Sequence, residues 1–354
     1  MARINGLERM KQVLIAGLVQ IFPPKNGLEQ LVFKGAPERT YDVETVAIDV
    51  YDGKRGIAGY TARGVKGQTL GLEGWKTIQV TPPVIDEGFT VTAQDLSVRS
   101  FGEDQFQTKT SLAKLKQLIA TNLKRLISRR QRAYTLQVAQ LLTTGIITVV
   151  EYDDRGKAKP ARKIDFKMPN SHKFTAPVSW SDPKADIFKV FRKVDELTSK
   201  ASGLKTKWSV VGSDVLAGMV NNLQVQALLD NRQMEFGELH GKKEELGNGL
   251  TYWGIFSGKK IYTFDDWYLD PATNKLEPYI PADMALFGTS EAETDIAYGS
   301  LSALVNGMPT VIEAKQLTAQ KSDADLVAIN NQVKSAKLYC LTQAGAFCAV
   351  KATF

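Results

Sequence analysis

The chain has little of what secreted, metal-dependent or catalytic proteins rely on. Its 354 residues include 2 cysteines and 2 histidines. A single bridge between Cys340 and Cys348 could not staple a fold of this size, so a reducing compartment is expected. Neither His172 nor His240 has a second His or Cys at ligand spacing, which argues against a zinc centre. No G-x-S-x-G elbow is present, and both histidines stand in polar stretches where they read as surface residues. The adjacent acids Asp153-Asp154, Glu244-Glu245 and Asp265-Asp266 would point to opposite faces of an extended chain, poor geometry for shared acid–base work. The expectation is therefore no catalytic residue, no metal site and no cofactor. Long hydrophobic runs are also missing. The apolar segment 13–22 spans ten residues, whereas a bilayer crossing needs about 20. Arg3, Arg9 and Lys11 before it imitate a signal sequence, but Gln20 interrupts it and Pro23-Pro24-Lys25 replaces the small residues of a cleavage site. It reads as a short packed helix.

The composition is that of an ordered chain: 43% hydrophobic, 23% charged, and 28 glycines. These values exclude disorder, collagen and coiled coil. At 39.0 kDa a compact fold would expose roughly 14,000 Å² and bury about three quarters of its unfolded surface, so core size sets no limit. The charge is mildly basic, with 45 Lys plus Arg against 38 Asp plus Glu, a net +7.

Glycine is concentrated in one place. Gly53, Gly56, Gly59, Gly64, Gly67, Gly71 and Gly74 fall within 22 residues, interspersed with Lys54, Arg55, Arg63 and Lys66. Such a run cannot form a regular helix or core strand, and predicts a long loop or extended hairpin. It is not a phosphate cradle, because no Gly-Lys is followed by Ser or Thr and the G-x-x-G-x-x-G spacing is not the dinucleotide fingerprint. Before it, Leu31, Phe33, Val43, Val46, Ile48 and Val50 alternate loosely and read as short strands; after it, residues 78–85 and 89–93 are β-branched and extended, broken by Pro82-Pro83.

The strongest signal is charge of one sign. Residues 105–150 contain no Asp or Glu, yet hold Lys109, Lys114, Lys116, Lys124, Arg125, Arg129, Arg130 and Arg132. Leu112, Leu115, Ile119, Leu123, Leu126, Ile127, Tyr134, Val138, Leu141 and Leu142 recur at the spacing of a helix with one buried stripe. Thr110 or Ser111 can start it and Gly145 can stop it, giving a spine about 50 Å long. Lys114, Arg125, Arg129 and Arg132, stepping by 11, 4 and 3, share the opposite side with no acidic residue at i±4 to offset them. Either carboxylates from elsewhere in the chain meet this face, or a polyanion does.

Beyond it, residues 146–150 and 163–166 read as strands around an Asp153-Asp154-Arg155-Gly156 turn. Asp182 and Pro183 can open an amphipathic helix carrying Ile187, Val190, Phe191, Val194 and Leu197 and ending near Gly203. A strand at 208–211, a helix capped by Ser213, a polar loop over 231–249 and a hairpin over 251–264 complete an α+β region. Phe264-Asp265-Asp266-Trp267-Tyr268 reads as aromatic packing beside a turn. The tail 335–354 is strand-like, with Cys340 and Cys348 on one strand face as buried small residues.

Five features follow one another in order through residues 20–354: Tyr60-Thr61-Ala62-Arg63-Gly64; Thr77-Ile78-Gln79-Val80-Thr81-Pro82-Pro83-Val84-Ile85; Ala93-Gln94-Asp95-Leu96; the long basic helix; and Met284-Ala285-Leu286-Phe287-Gly288-Thr289, running on to Ala297-Tyr298-Gly299. In this arrangement the chain resembles the major capsid proteins of tailed bacteriophages, most closely the lambda-like capsid protein E family. The resemblance implies an α+β fold of the HK97 type. Its parts would be an N-terminal arm (1–40), an extended loop (41–92), a peripheral domain (93–184 and 331–354) with the spine helix 111–144, and an axial domain (185–330). It further implies self-assembly of identical subunits into the hexamers and pentamers of an icosahedral head in the virion, built in the host cytoplasm around double-stranded DNA. Scaffold, portal and decoration proteins are further partners of the kind such families use. Lys114, Arg125, Arg129 and Arg132 would face the DNA, and Arg63, Gly64, Gly67 and Trp75 would belong to the loop between subunits. No Lys-Asn crosslink and no maturation cleavage site can be placed in this sequence. Two other readings stay open: an encapsulin-like compartment holding protein cargo, and a stand-alone basic nucleic-acid-binding protein.

Overall fold

The structure, a computed structural model, describes residues 27–50, 76–97, 111–153, 157–230, 239–247, 249–271, 273–305, 308–323 and 328–354. Segment 13–22 and the glycine-rich run, with Arg63, Gly64, Gly67 and Trp75, lie outside the described residues. The flanks of that run are described. Val46–Val50 pairs antiparallel with Lys76–Val80, from Val46 opposite Val80 to Val50 opposite Lys76. The two described flanks are thus antiparallel neighbours.

A seven-stranded sheet forms the centre. Its order is Lys173–Thr175, Cys348–Lys351, Met284–Gly288, Trp208–Val211, Lys259–Phe264, Leu250–Phe256 and Leu239–Gly247. The strand alternation sorts its side chains into two layers. Val211, Ile261, Ala285, Phe287 and Val350 pack under helices Ile187–Ser202 and Ser213–Asn221 through Val190, Phe191, Val194, Val215 and Met219. Val210, Tyr262, Phe264, Leu286 and Ala349 belong to the main core on the other side, with Tyr134, Val138, Leu141 and Leu142 of helix Ser111–Thr144. The second half of the spine is thus anchored in the main core, and its first half runs on to a different sheet. That sheet is antiparallel and three-stranded, Leu317–Asp323, Ala328–Ser335 and Ile85–Thr92, and meets the helix at Leu123, Ile127 and Val333.

Local chemistry explains several boundaries. The spine ends where Gly145 adopts φ +70° and its N–H donates to the Leu141 carbonyl at 2.9 Å. A Cβ there would sit 2.5 Å from Met168 Cβ. Gly145→Ala is expected to cost about 2 kcal/mol, combining left-handed strain with crowding; a denaturation midpoint equal to that of the unmodified subunit would contradict this. Ser257 and Gly258 form a two-residue turn with φ 51° and 73°, which matches the twist of the hairpin they close. Thr92 caps the short helix Ala93–Ser97 reciprocally with Asp95: the Thr92 N–H donates to Asp95 Oδ2 at 2.8 Å, and the Asp95 N–H donates to Thr92 Oγ1 at 3.3 Å. The Thr92 N–H, together with the Thr92 hydroxyl donating to the same Oδ2 at 2.8 Å, holds the exposed Asp95 carboxyl below its ordinary pKa.

Other expectations are corrected. Residues Gly27–Val32 form a helix and not a strand, burying Leu28 and Val32. Asp186, not Asp182, caps helix Ile187–Ser202, its carboxylate accepting from the Lys189 N–H; Asp182 turns back on Lys184 one turn earlier. Gly212 rather than Ser213 stands at the cap of the next helix. Within 231–249, the stretch Leu239–Gly247 is the edge strand of the central sheet, since backbone pairing at an edge needs no apolar sequence. Leu112 is exposed and adds nothing to the buried stripe. Cys340 and Cys348 are buried and free, as expected, but lie on separate strands. Burial pushes the Cys348 thiol up to about 12. His172 is not on the surface: it is 1% exposed, its Nδ1 donates to the Phe347 carbonyl at 2.9 Å, and its own carbonyl accepts from Cys348 Sγ. Pairing across distant chain segments encloses it, which its polar sequence neighbours do not reveal.

Strand Ala328–Ser335 straddles the division expected between 330 and 331 and pairs with Ile85–Thr92. The tail strand Cys348–Lys351 pairs on one side with Met284–Gly288 and on the other with Lys173–Thr175, the latter within the stretch 93–184 grouped with the spine.

Candidate nucleic-acid interface

The candidate surface is the cationic side of the spine. At 100° per residue, Lys114, Arg125, Arg129 and Arg132 fall within a sector of about 60°, roughly opposite Ile119, Leu123, Ile127 and Tyr134. Burial of those four apolar residues holds the helix in one rotation and so presents the cations outward. Arg125, Arg129 and Arg132 are exposed and Lys114 is half-buried. The structure therefore brings together the four residues that spacing had grouped.

One of them is met from within the chain. Arg129 Nη2 lies 2.8 Å from Glu87 Oε1 on the neighbouring strand, an exposed pair worth at most about 1 kcal/mol. Arg132 lies near Tyr279, whose hydroxyl burial pushes far above the usual tyrosine range, with Asp266 adding to the rise and Arg132 opposing it. A surface of guanidinium groups with weak, solvent-screened partners can bind phosphate at low desolvation cost, because each group already projects into water.

The side of the helix facing the sheet holds polar groups that the spacing argument did not anticipate. Arg130 is buried, and its Nε and Nη1 find no acceptor among the described residues. Glu87 Oε2 and the Asn331 side-chain amide, on the strands beneath, are equally without partners there. A second unexpected feature lies where helix Gly27–Val32 meets the body. Lys337, 8% exposed, places Nζ 2.6 Å from Glu29 Oε1 and over the rings of Tyr339, Tyr134 and Tyr298. Nothing in the tail sequence sets this lysine apart from a solvated one, because Glu29, Tyr134 and Tyr298 come from three distant segments. Among the described residues no group of three His, Cys, Asp or Glu is arranged to hold a metal ion, and no helix is long and apolar enough to cross a membrane.

This architecture, a central sheet with a long helix continuing onto a second sheet, can be set against known proteins. The sequence model of phage major capsid protein E matches residues 12–352. The chain belongs to that family. No individually curated protein matches by sequence. A putative capsid protein of a prophage in Escherichia coli CFT073 superposes with a TM-score of 0.68 at 15% identity, covering 98% of each chain. A phage-related protein from Bordetella bronchiseptica RB50 reaches 0.49 at 10% identity over 96% of each chain. An encapsulin complex from Synechococcus elongatus PCC 7942 reaches 0.43 at 8% identity, covering 96% of this chain and 95% of that one. Scores this low give the last two no weight. The fold is the HK97-like capsid fold, and this phage capsid protein is a structural, shell-forming component of the virion and not an enzyme. Its partners are copies of itself.

Proposed function

We propose that this capsid protein builds the hexamers and pentamers of an icosahedral head in the host cytoplasm, with the cationic side of the spine turned toward packaged double-stranded DNA. The observation that carries the second half is the sector holding Lys114, Arg125, Arg129 and Arg132, within a stretch of residues 105–150 that has no acid of its own. Phosphates neutralised there would release counterions, which supplies affinity without sequence preference. The assembly reading gains support from family membership, since the model of phage major capsid protein E matches residues 12–352.

On this reading the peripheral domain comprises the spine with the sheet of Ile85–Thr92, Ala328–Ser335 and Leu317–Asp323, and the axial domain comprises the seven-stranded sheet with its two helices. The arm and the extended loop would be the segments leading into helix Gly27–Val32 and joining Val46–Val50 to Lys76–Val80. Scaffold, portal and decoration proteins would meet the assembled shell, not the isolated subunit.

Changing Arg125, Arg129 and Arg132 together to Gln is expected to leave shell assembly intact and weaken DNA retention. The slope of log affinity against log salt should fall by about 0.9 for each phosphate that is no longer neutralised. Titration of subunits with duplex DNA at several salt concentrations, with electron microscopy of heads, reads both effects. An unchanged slope would show that the face is turned elsewhere. Shells holding protein in place of DNA would favour the encapsulin-like reading, and scattering of a permanent monomer the stand-alone one.

A further inference from the structure

Two successive arginines of the spine lie beside one carboxylate. Glu87 gives its Oε1 to the exposed Arg129 at 2.8 Å, while its Oε2 is buried and meets no donor among the described residues. Arg130 is 7% exposed, and its buried Nε and Nη1 meet no acceptor among the same residues. The register places these groups together. Glu87 stands opposite Val333 and Ile85 opposite Ser335, so these four side chains share one face of the sheet. On that face Val333 packs against Leu123 and Ile127, and the Tyr134 hydroxyl donates to Ser335 Oγ at 2.9 Å. Arg130 follows Ile127 and precedes Tyr134 on the buried side of the helix, and so lies over the step from Val333 to Ser335. At 100° per residue it falls about 25° from the centre of the stripe of Ile119, Leu123, Ile127 and Tyr134, in the same sense as Arg129 at about 125°. That is the flank on which Glu87 reaches the helix.

A guanidinium buried without an acceptor is costly, and so is a carboxylate oxygen buried without a donor. Turning Glu87 inward would satisfy both with a charge-assisted hydrogen bond. What holds it outward is Arg129. That outer pair is exposed and weak, and Arg129 belongs to the cationic side offered to phosphate. Asn331, two residues from Val333 on the same face, is buried with its amide unpartnered among the described residues, but it has no charge with which to neutralise a guanidinium. A phosphate that takes Arg129 would therefore displace Glu87 toward the one buried charge in that interface that lacks an acceptor among the described residues.

We propose that Glu87 is a two-position latch, which exchanges Arg129 for Arg130 when a polyanion takes Arg129. The trigger rests on the DNA-facing reading of the spine, whereas the exchange is a property of the folded subunit. Arg130 is then a positioning residue. Being buried, it touches no phosphate, yet it lowers the cost of freeing Arg129 and ties phosphate binding to a firmer contact between spine and sheet. The coupling is reciprocal, since whatever strengthens the inner pair also releases Arg129.

Guanidinium unfolding of unassembled subunits tests the exchange without nucleic acid. Arg130→Met alone is expected to be close to neutral, because it removes an unpaired buried charge. In an Arg129→Gln background Glu87 is committed inward, so Arg130→Met should raise the unfolding equilibrium constant about tenfold more than it does alone. Arg130→Lys, which keeps a charge for Glu87, should show little of that excess, and Glu87→Gln should abolish it. Equal effects of Arg130→Met in the two backgrounds, or an excess that survives Glu87→Gln, would overturn the latch. With duplex DNA, Arg130→Met should weaken binding about fivefold and leave the slope of log affinity against log salt unchanged, because Arg130 neutralises no phosphate. A lowered slope would put Arg130 on the phosphates themselves, and an unchanged affinity would remove it from the coupling; either overturns the proposal. If the excess appears but duplex affinity is indifferent to Arg125, Arg129 and Arg132, the DNA-facing reading fails and the exchange stands. If duplex binding depends on those three and the unfolding effects simply add, the exchange alone fails.

Discussion

Glu29→Ala is expected to destabilise the unassembled subunit by about 3 kcal/mol, the lower end of the range for leaving a buried charge uncompensated. Lys337 is the reason. Its side chain is 10% exposed, its Nζ lies 2.6 Å from the Glu29 carboxylate, and it also stands over the rings of Tyr339, Tyr134 and Tyr298 at 4.6, 5.4 and 5.8 Å. Ring faces attract a cation by about 0.5–2 kcal/mol, which does not replace a carboxylate. Lys337→Met should cost distinctly less, because it removes the charge that must be desolvated and leaves Glu29, 26% exposed, with access to water. Guanidinium unfolding of unassembled subunits compares the two. Equal losses would show that the pair acts through packing alone. The Glu29 substitution should also loosen helix Gly27–Val32, which is held otherwise by buried Leu28 and Val32, and faster backbone hydrogen exchange across that helix is the expected signature.

Phe191→Ala should be costlier, about 3–5 kcal/mol, since it removes a fully buried ring from a layer with little room to collapse. Phe191 meets Phe256 edge-on at 5.1 Å and Phe287 at 5.0 Å, so the helix Ile187–Ser202 is fixed to two strands of the sheet through one side chain. Phe191→Leu keeps most of the volume and should lose less than half as much. Because Phe191 and Phe256 touch, the double Ala variant should lose less than the sum of the singles. A Phe191→Ala midpoint within about 1 kcal/mol of the unmodified protein would contradict this packing.

Periodic features of the chain were legible before any coordinates. The spine's apolar spacing, its Gly145 stop and its acid-free cationic side needed only the 3.6-residue repeat and counts of charge, and all sit within one continuous segment. The hairpin around Ser257-Gly258 and the helix ending at Gly203 were readable for the same reason: turn and cap chemistry acts over two to four residues. Reading failed where the information is non-local. Residues Leu239–Gly247 form a strand because a partner strand is present, not because their own side chains ask for it. His172 is buried by Phe347 and Cys348, some 175 residues away in sequence.

The cationic candidates divide along the same line. Spacing alone put Lys114, Arg125, Arg129 and Arg132 on one side. Which acid meets Arg129 and why Arg130 points inward depended on the sheet that packs beneath the helix. Family membership itself was written in the order of short segments, none of them decisive singly, and the match over residues 12–352 agrees with that order.

By itself the sequence determined the long one-signed helix and its stop at Gly145, because both follow from residue type and near-neighbour spacing. Tertiary structure alone decided how the tail strand is shared with the central sheet and how Lys337 is enclosed. Those outcomes depend on which distant strands hydrogen-bond to each other, and a backbone ladder leaves no mark on the identity of the residues that form it.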